Sequence, residues 1–562
     1  MVMRRVILFD VLVISSLLVA IEISSERSIA TDSYYLQTVD PRFQSAGATN
    51  EIWVPDNYYT IQSAIYAANA GDTIMVRTGT YRENIKVNQS VRLIGDGLPT
   101  ISGDSLGMFG TPTVDILVEN VTVYGFVIEH HYSDCNEYDY GVVPYRQCNI
   151  SGNIVRGNIE GIASGSWGDY NVIADNIIQD NGLGLRVDGI WNNITNNIIR
   201  DNWDGTELHN SHTLTNNTIF NNTQLGLQIS IWNSTLRNNT MVGNGYNFMM
   251  RESQLPLQID DIDTSNTVNG KPIYYWINQS DKIVPSDAGY IAIINSTNIT
   301  VDTLTLEHNG QGVLISCSSN ITVKNCNLTD NWWGVRLKYS NNVCLYHNNF
   351  VNNFYQYEII GEHSWDDGCP SGGNYWSNYN GTDNFSGACQ NETGSDGIAD
   401  QPFSIVDMEY RYNNSDHYPL MAPISVFDVG NWNGTDCSVK VNSNSTLSAF
   451  TLNETEKTIR FNVTGENGTG FSRATIPNII VQNLWQDNYA VLVDNQPPLE
   501  IRNWTDTENT YLYFTYQHSQ HQITIIPETP STTILALFAA LTAIVLILAK
   551  KKQFAHSKNR SR

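Results

Sequence analysis

"NNIIRDNWDGTELHNSHTLTNNTIFNN", residues 196–222, contains one phrase twice: an asparagine doublet, a short apolar run, then another Asn or Asp-Asn doublet. The same phrase recurs on both sides, as "GNIVRGN" and "DNIIQDN" before it and as "NNTMVGN", "KNCNLTDN" and "HNNFVNN" after it. The asparagine ahead of the apolar residues falls at Asn153, Asn176, Asn197, Asn217 and Asn239, with gaps of 23, 21, 20 and 22, and again at Asn327 and Asn349, 22 apart. Self-similarity at this period marks a solenoid.

The residue types choose between solenoids. Leucine-rich repeats need Leu at fixed offsets and a helical stripe, whereas the apolar positions here are Ile, Val and Phe in runs too short for a helix. Short strands such as "GLGLRV", "GTELHN", "LGLQIS", "GVLISC" and "GVRLKY", joined by Asn and Gly turns, predict an all-β, right-handed parallel β-helix over residues 51–360. Stacking coils in register ~4.8 Å apart would set Asn176, Asn197 and Asn217 above one another as an amide ladder. Roughly ten coils would make a rod about 50 Å long.

A stack needs covered ends. Ile61, Ala64, Ile65 and Ala68 recur at helical spacing and predict an N-terminal capping helix before the first strands. The rhythm lapses over 251–290, which reads as an insertion. At the other end "SGGNYWSNYNGTDNFSG", residues 371–387, has turn residues and aromatics but no periodicity, and 361–423 reads as a C-terminal cap. Residues 424–527 alternate apolar and polar in short runs, which predicts a small Ig-like β-sandwich.

The flanks point to export. Arg4 and Arg5 precede an apolar run, and residues 1–30 read as a signal peptide. "STTILALFAALTAIVLILA", residues 531–549, is uncharged and long enough to span a ~30 Å bilayer core. The basic stretch 550–562 follows, so the positive-inside rule predicts a single-pass cell-surface protein with its C-terminus in the cytoplasm. Asn88, Asn120, Asn193, Asn298, Asn320, Asn462 and Asn503 are among roughly two dozen glycosylation sequons. A net charge of −25 would repel phosphate backbones and argues against nucleic-acid partners. Exported cysteines form bridges, and Cys135 with Cys148 and Cys369 with Cys389 are the local pairs that close loops free of regular pattern.

Three blocks, "TIQSAIYAANAGDTIMVRTGTYRENI", "NGKPIYYWINQSDKIVPSDAGYIAIINSTNITV" and "GNYWSNYNGTD" with "DGIADQPFSI" and "SDHYPLMAP", occur in this order. Together they resemble the NosD-like, CASH-type right-handed β-helix proteins of archaeal cell surfaces over about residues 51–423. The resemblance implies an exported, pectate-lyase-like superhelix, with either carbohydrate interaction or copper delivery as its role. In that family the last block carries a compact acidic stretch. Here Asp383 is separated from Asp396 and Asp400 by an insertion, and the alternatives are a structural Ca²⁺ held by these three aspartates or an Asp/Gly turn.

Chemistry needs clustered side chains. The loop around Glu129, Asp134, Glu137, Asp139 and Arg146 is the candidate catalytic site of a polysaccharide lyase or hydrolase, and Glu160, Asp188, Asp204 and Glu207 follow one or two coils later. Copper would take clustered His, Met or Cys; the only dense histidines are His130-His131 and His209 with His212. Trp203, Trp332 and Trp333 lie at coil turns, where flat rings stack either on sugar faces or on one another. The expected function is a membrane-anchored glycoprotein whose β-helix binds glycans or envelope components without catalysis. A carbohydrate-active enzyme and a copper-binding maturation protein are the alternatives.

Overall fold

A computed structural model describes residues 50–104, 111–131, 139–230, 233–251, 260–409 and 411–528. The chain winds as a parallel β-solenoid of the right-handed type, with three strands per coil and therefore three long faces. In the coils around residues 150–250 the first face stacks Asn149–Ser151, Val172–Ala174, Asn192–Thr195, His212–Thr215 and Thr235–Arg237. The second stacks Ile154–Arg156, Ile177–Gln179, Ile198–Arg200, Thr218–Phe220 and Thr240–Val242. The third stacks Glu160–Ser164, Leu183–Val187, Asp204–His209, Leu225–Ser230 and Tyr246–Met250.

The doublets in the sequence explain the corners. In Asp175-Asn176, Asn196-Asn197, Asn216-Asn217 and Asn238-Asn239 the first residue adopts a left-handed backbone, with φ of 55°, 55°, 58° and 54°. Asn and Asp tolerate this region better than other residues with a Cβ. The second residue turns inward and joins its neighbours in a column. Asn153, Asn176, Asn197, Asn217 and Asn239 each pass a side-chain N–H to the amide oxygen of the next coil, ending on Asn266, at 2.8–3.1 Å. The expected ladder is therefore present, and a parallel one runs through Asn158, Asn181, Asn202, Asn222, Asn244 and Asn247. Between the corners, apolar columns such as Ile178, Ile199 and Ile219 are at most 1% exposed and fill the bore.

A glycine column accompanies the second amide column. A Cβ on Gly184, Gly205 or Gly226 would lie 2.5–2.7 Å from a backbone carbonyl of the next coil and 2.8–2.9 Å from a ladder amide nitrogen. Only glycine lets the chain enter the third face there.

The stretch expected as an insertion is largely part of the stack. Asp261–Ile262 and Thr267–Val268 extend the first and second faces, and Asn269-Gly270 then turns Lys271–Ile277 back antiparallel to Thr267–Val268. Asn-Gly supplies the two positive φ values, 48° and 78°, of a tight hairpin. Beyond it the solenoid resumes with different corner residues. Ser296, Ser318 and Ser340 line one corner and Asn309, Asn331 and Asn353 another. The third corner holds Cys326, Asn348 and Asn374, so Asn327 and Asn349 sit one position beyond the column to which their spacing had assigned them.

Both ends are covered. The helix Ile61–Ala67, capped by the Thr60 side chain, lays Ile61, Ala64 and Ile65 on the first coil. At the far end Trp376 stacks on Phe350 at 4.2 Å and on Phe403 at 4.6 Å, and Trp365 is fully buried beside it. Asp416 fixes this aromatic lid by accepting the Asn374 N–H, the Trp376 Nε1–H and the Tyr418 N–H.

Residues 424–527 form two antiparallel sheets of five and four strands around one core that includes Val439, Val441, Phe461 and Phe514. A helix, Asn478–Trp485, interrupts the strands where the alternating pattern had predicted only sheet. It buries Ile480, Val481, Leu484 and Trp485, a helical stripe that follows Pro477. This unit docks on the last coil through Asn349 and Ile424, paired by two hydrogen bonds at 2.8 Å, and on the lid through Arg473, which donates to the carbonyls of Pro370 and Ser371.

Among the described residues no helix is long and apolar enough to cross a membrane. The expected signal peptide at 1–30, the span at 531–549 and the tail at 550–562 lie outside the described residues. Six of the seven named sequon asparagines are exposed and Asn462 is half-buried.

Candidate functional site

The third face carries the densest chemistry. Alternation along each strand turns Ile162, Leu185, Leu227 and Phe248 inward, while Arg186, Glu207, Gln228 and Met249 form an outward column in register. The face does not end at the hairpin. Strand Tyr246–Met250 meets Gln311–Ser316, with Gln311 exchanging two hydrogen bonds with the Met250 backbone at 3.0 and 3.2 Å. Residues about a hundred positions apart therefore face one cleft of about 470 Å³, whose lining includes Asp204, Glu207, Gln228, Trp332, Trp333 and Tyr355.

One side of the cleft is aromatic. Trp332 stacks on Phe354 at 4.6 Å and meets Tyr246 edge-on at 5.5 Å, Trp333 lies parallel to Tyr355 at 6.3 Å, and Arg336 covers Trp333 at 4.7 Å. The rings thus pack on one another and still line the opening. Trp203 is 58% exposed and gives its indole N–H to Gln224, another lining residue, at 3.0 Å.

The other side is charged. Arg186 bridges Glu160 at 3.0 Å and Glu207 at 3.5 Å. Glu207 also accepts from Gln228 at 2.8 Å and has His209 and Arg251 at 3.6 and 3.8 Å. The His209 imidazole, 3.6 Å away, holds the Glu207 carboxyl below the usual carboxylate range, aided by Arg186 and Arg251, and is itself raised in return. Burial pushes Asp204 up, as does the charge of Glu207, against the N–H of Leu225 at 3.1 Å. Burial also raises Glu160, the nearby Asp188 and Glu207 adding to it.

The described residues of the first-named catalytic loop do not line this cleft. Glu129 pairs with Arg156 at 2.9 Å on the second face, Asp139 is buried with His130 at 3.5 Å, and Arg146 lies 3.8 Å from Glu119. Asp134, Cys135 and Glu137 lie outside the described residues. Cys148 is a buried thiol, pushed by desolvation to about 11. Cys369 and Cys389 are thiols rather than the expected bridge, and burial raises Cys369, with the charge of Asp396 adding to it.

The three aspartates of the lid meet in a turn. Asp383 accepts the N–H groups of Asp396 and Gly397, Asp396 that of Ile398, and Asp400 those of Asn384 and Phe385. Burial, followed by the charges of Asp396 and Asp400, raises Asp383 to about 7 against those two N–H bonds.

Sequence reasoning had named Asp204, Glu207 and the three tryptophans, but not Arg186, Gln228, Arg251 or Tyr355. Aligning the repeats on the glycine column would have found two of them, because Arg186, Glu207 and Gln228 each stand two residues after Gly184, Gly205 and Gly226. Among the described residues no three His, Cys, Asp or Glu side chains group to hold a metal ion. His212 belongs to a corner column between Asn192 and Ser234, burial lowering it to about 4.

Distant likenesses exist among solved structures. The Dettilon tailspike protein is 11% identical, covers 85% of this chain and 93% of its own, and has a TM-score of 0.34. Pectate lyase Pel9A is 13% identical over 60% of this chain and 83% of its own, at 0.31. The A-module of Azotobacter vinelandii mannuronan C-5 epimerase AlgE6 is 15% identical over 56% and 86%, at 0.24. No curated protein matches in sequence. The profile of the family described as periplasmic copper-binding protein (NosD) matches residues 67–275 and 277–381, more than half of the chain, which therefore belongs to the NosD family.

Proposed function

We propose that this NosD-family protein is an exported, membrane-anchored surface glycoprotein whose solenoid binds glycan chains in the third-face cleft. The observation that carries the reading is the pairing of the aromatic wall, Trp332, Trp333 and Tyr355, with Asp204, Glu207 and Gln228 across one opening. Flat rings take up the apolar faces of sugars, and carboxylates and amides bind their hydroxyls. A volume of about 470 Å³ falls within the range of small-ligand sites. The two-sheet unit after residue 423 serves in this reading as an Ig-like stalk between the solenoid and an anchor at 531–549.

The described residues do not fit a copper centre. Copper takes clustered imidazole, thiolate or thioether donors. Here His209 is held by Glu207 and Asp188, His347 by Ser371 and Lys440, and Met249 and Met250 are buried in the third face.

A glycan array probed with the full chain and with Trp332→Ala and Trp333→Ala tests the proposal. Retention of a defined glycan set that both variants lose is the expected result. Retention unaffected by either change would place binding elsewhere.

A further inference from the structure

The joint between the solenoid and the two-sheet unit is built around one imidazole. His347 follows strand Asn341–Tyr346 at a left-handed corner, with φ of 55°, and is only 3% exposed. Its backbone N–H donates to the Gly373 carbonyl of the lid at 2.7 Å. Both ring nitrogens are used as well. Lys440 of the two-sheet unit donates to Nδ1 at 3.1 Å, and Nε2 meets the Ser371 carbonyl of the lid, also at 3.1 Å. Arg473, from the same unit as Lys440, donates to that same carbonyl at 3.3 Å. An ammonium cannot accept, so Nδ1 is the acceptor and Nε2 carries the proton of a neutral ring. The charges facing the ring are of one sign: Lys440, Arg473 and, from the solenoid, Lys324. The nearby acids have other partners. Asp302 pairs with Lys324 at 3.5 Å, Asp367 accepts the Ser371 hydroxyl at 2.6 Å, Asp367 and Glu508 act on Lys440, and Asp396 acts on Arg473.

We infer that acid opens this joint: a proton on His347 removes the acceptor that Lys440 needs and sets a further cation against Lys440 and Arg473, so the two-sheet unit leaves the end of the solenoid while both stay folded. Docked, the imidazole is held well below its usual value of 6.5, by burial first and then by Lys440, with Arg473 and Lys324 adding to this against the Ser371 carbonyl. Undocked, the ring returns to water and to about 6.5. The undocked form therefore takes up a proton that the docked form excludes. Docking is at full strength above about pH 6.5 and weakens about tenfold for each pH unit below it. Lys440, at about 8, keeps its charge throughout that fall.

Hydrogen exchange on the full chain reads the joint, each rate being divided by that of an unstructured chain at the same pH. The Ile424 N–H, which donates to Asn349 across the joint at 2.8 Å, reports docking, while the strands Val172–Ala174 and Thr458–Thr464 report the two folds. Between pH 7.5 and pH 5 the protection of Ile424 should fall about 30-fold and that of the strands should hold. In His347→Gln the amide accepts from Lys440 and donates to Ser371 without titrating, so Ile424 should stay protected across the same range. Constant protection of Ile424 in the wild type overturns the proposal, and so does an equal fall in His347→Gln or a fall in the strands that keeps pace with Ile424. Should His347→Gln not dock at pH 7.5, Lys440→Met decides: a pH response shallower than that of the wild type supports the proposal, and one as steep overturns it.

Discussion

Replacing Asn197 by alanine probes the feature on which the solenoid depends. The Asn197 side chain is fully buried. Its oxygen accepts the backbone N–H and the side-chain N–H of Asn176, both at 3.0 Å. Its nitrogen donates to Asn217 at 3.0 Å, to the carbonyl of Ile173 at 2.8 Å and to that of Thr195 at 3.1 Å. Alanine leaves the Asn176 backbone N–H in a dry corner, at a cost of about 1–3 kcal/mol for an unsatisfied buried donor. The Asn176 side chain keeps its bond to Ile150, so that loss is partial. The missing bonds to Asn217 and Ile173 add about 1 kcal/mol each, which brings the expected destabilisation to about 3–5 kcal/mol. Because each coil rests only on its neighbours, the loss should be local. Urea unfolding together with hydrogen exchange is the assay, and protection should fall around Val172–Gln179 and Asn192–Arg200 before it falls elsewhere. Asn196→Gly is the control, since it alters the adjacent exposed corner where a left-handed backbone suits glycine. A change below about 0.5 kcal/mol in Asn197→Ala, with unaltered exchange, would refute the idea that the amide columns hold the coils in register.

Gly205→Ala should destabilise by about 1–3 kcal/mol, measured in the same unfolding assay, because its Cβ would meet the Gly226 carbonyl at 2.5 Å and Asn222 at 2.8 Å. Lys440, pressed against His347 at 3.1 Å among Lys324, Asp302, Asp367 and Glu508, is lowered by burial from 10.5 to about 8. The unfolded chain therefore holds that proton more tightly between about pH 8 and 10.5, and stability should rise with pH across that window by up to about 3 kcal/mol. Lys440→Met should flatten the rise in a melting series. Because Asp383, Asp396 and Asp400 accept backbone N–H groups and do not group to hold a metal ion, the melting midpoint should not move with calcium, whereas a bound ion would raise it by an amount corresponding to about 2.7 kcal/mol at a hundredfold excess over Kd. A midpoint indifferent to calcium and chelator alike would leave the three aspartates as turn residues.

The repeat was legible because parallel stacking forces equivalent side chains into columns, and a column of asparagines is conspicuous in a chain. Its limits were physical as well. In the second half Ser318 and Cys326 occupy corner positions as well as Asn348 does, so reading by asparagine alone placed Asn327 and Asn349 one residue out of register. The helix Asn478–Trp485 was hidden because Ile479 to Val481 reads as strand until Leu484 and Trp485 complete the stripe. The cleft was harder still. Glu207 and Trp332 are brought to one opening by the number of coils between them and by the hairpin at Asn269-Gly270, neither of which leaves a local spacing. Individual acids could be named, but not the face they share.

The paired amide columns also limit how this molecule can change in length. Excising one whole winding, for instance the residues from Asn176 through Asn196, would bring Asn153 above Asn197 and leave every column unbroken. Removing a single residue from within a strand would instead point the next Asn away from its column, whereas windings of 23, 21, 20 and 22 residues show that the loops between strands absorb such changes. Growth and shrinkage are thus quantised, and homologous rods should differ by integral turns.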